Sequence, residues 1–511
     1  MKKMWALIPG CAILATAGIA YSADLGSCNA SYAIKPSDKY RAVAADAGPV
    51  RRLQPAFFGF NLEWLEFQSA LWDKQRGAVN QDAENLLAGF PGAVYRYPGG
   101  TNADYFAWRE GVGTPDARPA GKRATWTDST TINFGPAEYL KFVKDVGGQA
   151  WYVTNIYGAV GQEQDNAELA QSAGDLADFL RGQKAAGMPA VLRWELGNEL
   201  DRDVFRWPPQ KLVGVSLAAA KQIRQRDPDA QVVSMLEEYP ARQQDGFSAS
   251  AYNKTVAGAV KSSTSEFAIH LYYDGKPTPP LRQALSSMCY AIDDARAAGI
   301  GNPTVWITEY ARVPDGAWSG DWKNLWPQTA DLQAAISDAD MVIATAQMPE
   351  VNGAMIHALH ASDGPWPTMH RSRADGHIYP SAVLIALRML RDTMLPNVLA
   401  TRNESANAGA YAGGYDMRAV VMTDDARKKY SVWAVNRSGK GIDLNIAIPA
   451  LKGRSMNGKI VTLSDDNPKA NNYASSTRLQ ASSSQSTISF NADGVASVGL
   501  PPYAVATINF Q

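Results

Sequence analysis

The stretch VLRWELGNELDR, Val191 to Arg202, is where the fold is decided. Val191, Leu192, Trp194 and Leu196 make an apolar run interrupted only by Arg193 and Glu195, which reads as a buried strand. The run stops at Gly197, and an amide and a carboxylate, Asn198 and Glu199, follow at once. A surface turn or a helix cap would account for that pair. A strand that presents an acid at its C-terminal end would account for it equally, and the rest of the chain decides between them.

From about Pro55 to Leu359 short β-rich runs alternate with helical patterns. The strand-like runs are Ala56–Leu62, Ala93–Tyr97, Ala150–Thr154, Ala190–Leu196, Gln231–Met235, Phe267–Tyr272, Thr304–Tyr310 and Gly353–Leu359. Helical spacing of apolar residues marks Asp175–Ala186, Lys211–Gln225, Leu281–Ala298, Asp331–Gln347 and Pro380–Leu390. Eight strand-then-helix units predict an α/β fold of the TIM (β/α)8 barrel type. An open doubly wound sheet would want a Gly-rich phosphate turn after its first strand, and Phe58 to Glu63 offers none. After about Leu395 the texture changes to short alternating runs such as YSVWAVN and GIDLNIAIP, the mark of a C-terminal antiparallel β-sandwich. The polar stretch Ser464 to Ser484 reads as a long loop. The expected organisation is an export signal over 1–22, an N-terminal segment over 23–54 joining the sandwich, the barrel over 55–394 and the sandwich over 395–511.

The first segment carries Lys2 and Lys3, an apolar run from Met4 to Ala20, and Ala20-Tyr21-Ser22 as a small-x-small cleavage site. The run is short for a membrane span, so the mature chain is expected to be exported to the periplasm or the exterior. LGSC, Leu25 to Cys28, is a minor hint of lipoprotein anchoring. The formal net charge of −1 gives no footprint for nucleic acid. Cys28 and Cys289 remain after cleavage; whether they pair is open. No interface signal is visible, and oligomeric state is open too.

In a TIM barrel the C-terminal strand ends face the active site. Glu199 ends the fourth strand, Glu309 (in TVWITEY) the seventh, and His270 and Tyr272 (in IHLYY) the sixth. Two carboxylates at one mouth suit hydrolysis of a glycosidic bond, one to protonate the leaving oxygen and one to attack the anomeric carbon. Asn198 adds an amide suited to a sugar 2-hydroxyl.

WELGNE followed by WITEY resembles the acid/base and nucleophile strands of the clan A retaining glycoside hydrolases. VYRYPGGTNADYFAWREGVG (Val94 to Gly113) and FFGFNLEW (Phe57 to Trp64) resemble the second and first strands of the family fifty-one α-L-arabinofuranosidases. KIVTLSDDNPKANN and LPPYAVATINF are similar to that family's terminal sandwich. The resemblance implies Glu199 as acid/base, Glu309 as nucleophile, and Glu63, Asn102 and Asn198 toward the sugar. It also implies Tyr272 as a hydrogen-bond partner of Glu309, and Arg96 beneath the site. The family motif reads Asn directly after the paired glycines, whereas here Thr101 precedes Asn102; PGGTNAD also echoes the GGTxxD of the heparanase and β-glucuronidase family. Glu63 argues for a neutral sugar, since it would repel a uronate unless Arg96 compensated.

The loop VPDGAWSGDWKNLWPQ places Trp318, Trp322 and Trp326 near the mouth, with Trp366 after the eighth strand and Trp64 and Trp108 after earlier ones. One or two of these are expected as stacking platforms for sugar rings, Trp318 and Trp366 first. His357 and His360 form an H-x-x-H, but on a strand they point to opposite faces without a third ligand, and His270 is expected to bond near the nucleophile. Neither a metal nor a cofactor is expected. The whole reads as an exported, retaining exo-glycosidase of oligosaccharide or polysaccharide chains, most like an α-L-arabinofuranosidase. Other clan A activities (β-glucuronidase, β-xylosidase, endo-β-glucanase) and a silent carbohydrate binder on the same scaffold are the alternatives.

Overall fold

The computed structural model describes residue 28 and residues 33–45, 48–119, 130–159, 162–163, 165–202, 205–237, 248–275, 278–316, 325–407 and 414–511. Residues 1–22, where an export signal is expected, and Trp318 and Trp322 lie outside the described residues. Eight parallel strands close a barrel: β1 (Phe58–Asn61), β2 (Val94–Tyr97), β3 (Gln149–Thr154), β4 (Val191–Leu196), β5 (Val232–Met235), β6 (Glu266–Tyr273), β7 (Thr304–Arg312) and β8 (Val351–His357). Each predicted strand is present, with ends moved by a few residues. The first starts later because Pro55–Phe57 forms a 3-10 turn. The helix expected from Asp175 starts nine residues earlier, at Asn166, because Asp165 accepts from the Ala167 N–H and caps it.

Side chains alternate along each strand, and one set fills the barrel. Val94, Trp151, Val153, Val233, Ala268, Trp306 and Met355 form that inner core, with Trp151 and Trp306 edge to face at 5.1 Å. One irregularity has a large consequence. β6 pairs with β7 through Ile269 and Ile307 and then through His270 and Glu309, so Thr308 is an extra residue. Strict alternation from Trp306 would turn Thr308 inward. The bulge turns Glu309 inward instead, beside His270.

A sandwich of a five-stranded and a seven-stranded sheet packs beside the barrel around its own core of Leu444, Ile446, Val432, Ile508 and neighbours. Most of its pairings are antiparallel, as expected. Tyr40–Ala44 and Ile34–Pro36 depart from the pattern: they pair parallel with Ile442–Ala447 and Thr401–Ser405. These strands come from the far end of the chain, so no hairpin turn dictates their direction. The polar stretch after Ser464 is a loop only to Ala481, since Ser482–Ser489 is a strand. That loop is anchored, with Asn472 buried and the Ala470 carbonyl accepting from Leu332 N–H at 2.8 Å. Cys28 and Cys289 are joined in a disulfide, which closes the question left open by their spacing and leaves Cys28 without a free thiol for a lipid.

Barrel and sandwich meet across a buried ionic cluster. Asp340, on the helix Leu332–Ala346, accepts from Arg418 Nε and Arg437 Nη1 at 2.5 Å each and from the Tyr415 hydroxyl at 2.6 Å. Arg437 Nη2 also reaches Asp274, just beyond β6, at 2.6 Å. Every member of these ion pairs is essentially excluded from water. Removing one partner from such a cluster leaves an uncompensated buried charge. Arg437→Ala is therefore expected to cost roughly 3–5 kcal/mol, read as a lowered midpoint in chemical denaturation; a loss below about 1 kcal/mol, the level of a surface pair, would contradict this account.

Candidate active site

The site is assembled around a cation with no exposure. Arg96, on β2, spends all five of its N–H groups on side-chain acceptors. Nε and Nη2 grip the Glu195 carboxylate at 2.7 and 2.8 Å, and Nη2 also reaches Asn198 Oδ1 at 2.7 Å. Nη1 donates to Asn61 Oδ1 at 2.8 Å and to Glu309 Oε1 at 2.7 Å. Strands β1, β2, β4 and β7 are thus registered at one point. Trp151 Nε1 adds a 2.7 Å bond to Glu195 from β3.

Loops above these strands deliver the remaining groups. Gly99 and Gly100 both have positive φ, and a Cβ on Gly100 would fall 1.8 Å from Glu63 Oε1. Only glycine lets this loop lie against the end of β1, where Asn102 Nδ2 donates to Glu63 Oε2 at 3.3 Å. Beyond β4, Glu199 itself is left-handed at φ 48°, an uncommon state for a residue with a Cβ. That turn is held by Asp104, whose Oδ1 accepts from the Asn198 N–H at 3.0 Å. Because Asn198 Oδ1 is taken by Arg96, its Nδ2 is the free edge: it is buried and meets no acceptor among the described residues. It is a donor aimed at whatever enters.

Glu199 and Glu309 face each other across this space, with one oxygen of each and His270 Nδ1 all within 4.8 Å. His270 Nδ1 donates to Glu199 Oε1 at 2.7 Å and lies 3.7 Å from Glu309 Oε2. Arg202 Nη1 bonds the second oxygen of Glu199. Tyr272 donates to Glu309 Oε2 at 2.5 Å. From β8, His357 Nδ1 accepts from Asn61 Nδ2 at 2.7 Å and sits 3.5 Å from Glu309 Oε2. Three possible metal ligands therefore converge, but both carboxylates already hold a guanidinium and a second donor, so an ion there would compete with two cations.

The electrostatics follow from burial set against these neighbours. Burial alone would raise Glu309, but the neighbouring imidazoles and Arg96 hold it below its ordinary value. Burial likewise opposes ionisation of Glu199, and Arg202 and His270 overcome it, holding the carboxyl well below its usual range. His270 is pushed down by burial and up, on balance, by Glu309 and Glu199. Glu63 is raised well above its ordinary value by burial and by Glu66 and Glu309, which favours its neutral form. Tyr272 is raised far by burial and by Glu309, and stays a donor.

Glu63, Arg96, Asn102, Asn198, Glu199, His270, Tyr272 and Glu309 are all brought to this one mouth. Trp366 joins them, its ring 5.3 Å from Tyr272 and 5.0 Å from His357, fixed by its indole N–H to the Arg312 carbonyl at 2.9 Å. Trp318 lies outside the described residues. Three other tryptophans are not platforms. Trp64 is fully buried against Phe106, Trp326 is buried against Tyr473 of the sandwich loop, and Trp108 packs on Phe179 beneath Arg109. Asn61, Asp104, Glu195, Arg202 and His357 belong to the site without having been singled out for it. Glu195 carried a signal as a charge inside an apolar run, and His357 as half of an H-x-x-H.

The sequence profile described as the "Alpha-L-arabinofuranosidase 1 domain" matches residues 86–273, which include Arg96, Asn198, Glu199, His270 and Tyr272. A Streptomyces lividans protein named an intracellular exo-α-(1→5)-L-arabinofuranosidase is 26% identical over 203 residues, covering 38% of this chain and 30% of its own length. A Bifidobacterium longum protein of the same name is 21% identical over 92% of both chains. The solved α-L-arabinofuranosidase of Thermotoga maritima superposes with a TM-score of 0.73 at 15% identity, covering 92% of this chain and 99% of that one. The chain is similar, in sequence and in fold, to the family 51 arabinofuranosidases, and its barrel with a C-terminal sandwich is the expected architecture.

The imidazoles give a direct check on these electrostatics. In an NMR titration His270 is expected to titrate above 6.5 and His357 below it. Glu199→Gln removes one of the charges that raises His270 and should bring its midpoint down. A His270 midpoint below 6.5 in the unaltered protein would sink the assignment.

Proposed function

We propose that the protein is a retaining glycosidase that removes neutral sugars, α-L-arabinofuranosyl groups in particular, from oligosaccharide or polysaccharide chains. The observation that carries this is the approach of Glu199 and Glu309 to within 4.8 Å, oxygen to oxygen, at the C-terminal mouth of the barrel. Retaining enzymes hold their carboxyls about 5–5.5 Å apart, whereas inverting ones leave about 6.5–9.5 Å for a water. The relatives named as exo-acting arabinofuranosidases support the choice of sugar and the exo action. A neutral sugar fits because all five N–H groups of Arg96 are engaged, leaving none for a uronate carboxylate in that subsite.

Glu309, ionised and held by Arg96 and Tyr272, attacks the anomeric carbon. The bond to the leaving oxygen breaks, and that oxygen takes the one proton held between Glu199 and His270. Glu199 delivers it, and His270 is the store. Asn198 Nδ2 donates to a sugar hydroxyl and gains strength as positive charge develops on the ring. In the second half Glu199 takes a proton from water, the resulting hydroxide displaces Glu309, and the sugar leaves with its anomeric configuration unchanged.

Among the described residues no helix is long and apolar enough to cross a membrane. Export is proposed from the basic and apolar segment of residues 1–22 and is supported by the Cys28–Cys289 disulfide, a bond that persists in oxidising compartments. The relatives' names describe those proteins as intracellular. Fractionation of a Gram-negative host should yield a secreted chain whose N-terminus follows Ser22; an intact Met1 in the cytoplasm would overturn export.

On a panel of aryl furanosides, pyranosides and uronides, the α-L-arabinofuranoside should be cleaved fastest, with the retained anomer appearing first by NMR. Glu309→Ala should fall to background on every substrate. Glu199→Ala should lose about 10²–10⁴-fold on poor leaving groups and much less on activated aryl ones. First release of the inverted anomer, or an active Glu309→Ala, would refute the mechanism.

A further inference from the structure

Arg202 is a cation that the double-displacement cycle does not itself require. It sits three residues after Glu199, its Nη1 bonded to Glu199 and, at 3.0 Å, to Thr101 Oγ1. Its guanidinium makes no other hydrogen bond to a described residue, and its side chain is 41% exposed. Arg96, by contrast, is sealed and fully bonded. The two arginines are therefore different devices: one locks strands together, and the other lies open at the mouth with a single carboxylate partner.

That partner is the group that must be protonated when the glycosidic bond breaks. A protonated carboxyl is no longer an anion, so the Arg202–Glu199 ion pair weakens to a hydrogen bond on a neutral acceptor each time Glu199 takes its proton. Arg202 is partly exposed, so water takes up part of its charge at that moment, and a second anion within reach would compete for the rest. The leaving sugar is joined through the oxygen that Glu199 protonates, so that sugar is the part of the substrate placed beside Arg202. Resting on the glycosidase reading above, we infer that Arg202 is a specificity-determining residue for the leaving-group side. It takes the carboxylate of a uronic acid that bears the scissile bond and, in doing so, releases Glu199 for its acid role. The bidentate match of guanidinium and carboxylate suits the unpaired edge of Arg202. The holding down of Glu199 by Arg202 agrees with this, since exchange of partners would let the carboxyl rise toward a value useful to an acid. The arrangement would turn the enzyme toward arabinosyl groups carried on acidic polysaccharide.

The test compares two disaccharides, arabinofuranose linked to a uronic acid and the same compound as its uronate methyl ester, which differ in charge at one group. The unaltered enzyme should cleave the acid with a kcat/KM about tenfold or more above that of the ester. Arg202→Ala should bring the ratio close to one, whatever it does to the ester alone, and Arg202→Lys should keep part of the preference. Equal rates on the two compounds, or a preference that survives Arg202→Ala, would overturn the inference while leaving the hydrolase reading intact. No cleavage of either compound or of any aryl glycoside would remove that reading and this inference with it.

Discussion

Everything at the mouth of this barrel depends on one buried guanidinium. A cation with no exposure must have its charge matched and its five N–H groups satisfied inside the protein, and Arg96 achieves both with four side chains from three other strands or their ends. The bonds act in both directions. They make the burial of Arg96 tolerable, and they fix the amides of Asn198 and Asn61 with Oδ1 toward the guanidinium and Nδ2 away from it. Asn61 in turn donates to His357 Nδ1, which sets the tautomer of an imidazole next to Glu309. Orientation at the reacting centre is therefore inherited from a structural ion pair two contacts away, between Arg96 and Glu195. The structural and functional readings of Arg96 are one reading.

A second buried ionic cluster extends the same logic outward. Arg437 of the sandwich holds Asp274, two residues beyond Tyr272, and Asp340 of the flanking helix. Tyr272 is the donor on Glu309 Oε2. The sandwich thus fixes the position of the strand end from which Tyr272, the donor on Glu309, projects, which gives a physical reason for a domain that contributes no described group to the mouth. Burial of such charges is costly unless geometry is good, and here each carboxylate of the cluster has at least two donors.

The sequence disclosed the barrel and the two carboxylates because both leave local marks: period-2 and helical runs for the one, acids at strand ends for the other. It could not disclose what depends on pairing between distant segments. Glu309 faces inward because Thr308 is bulged, and a bulge is a property of two strands in register, not of TVWITEY alone. Cys28 and Cys289 are 261 residues apart, and only the folded chain brings them together. His357 attracted notice as half of an H-x-x-H, whereas its role comes from Asn61 on a neighbouring strand. The tryptophans show the converse. Trp64 and Trp326 stand in sequence where Trp366 also stands, after strand ends and in the mouth loop. Phe106 buries the first and the sandwich loop buries the second; no local pattern separates a covered indole from an open one.

The charge balance of the site argues for the kind of molecule it receives. Arg96 faces the Glu195 and Glu309 carboxylates, Arg202 faces Glu199, and His270 lies between Glu199 and Glu309. Glu63 adds a further carboxyl, which burial, then Glu66 and Glu309, push well above its ordinary value, favouring its neutral form. Beside these pairs the mouth presents hydrogen-bonding groups: the Asn198 amide N–H, the Glu63 carboxyl and the Asn102 side chain. An uncharged polyol meets such a surface without displacing any ion. A charged sugar in the same place would have to break a pair that orients Glu309. Among the described residues of the mouth, Arg202 at the rim differs from Arg96 in being partly exposed and bonded to one carboxylate, that of Glu199.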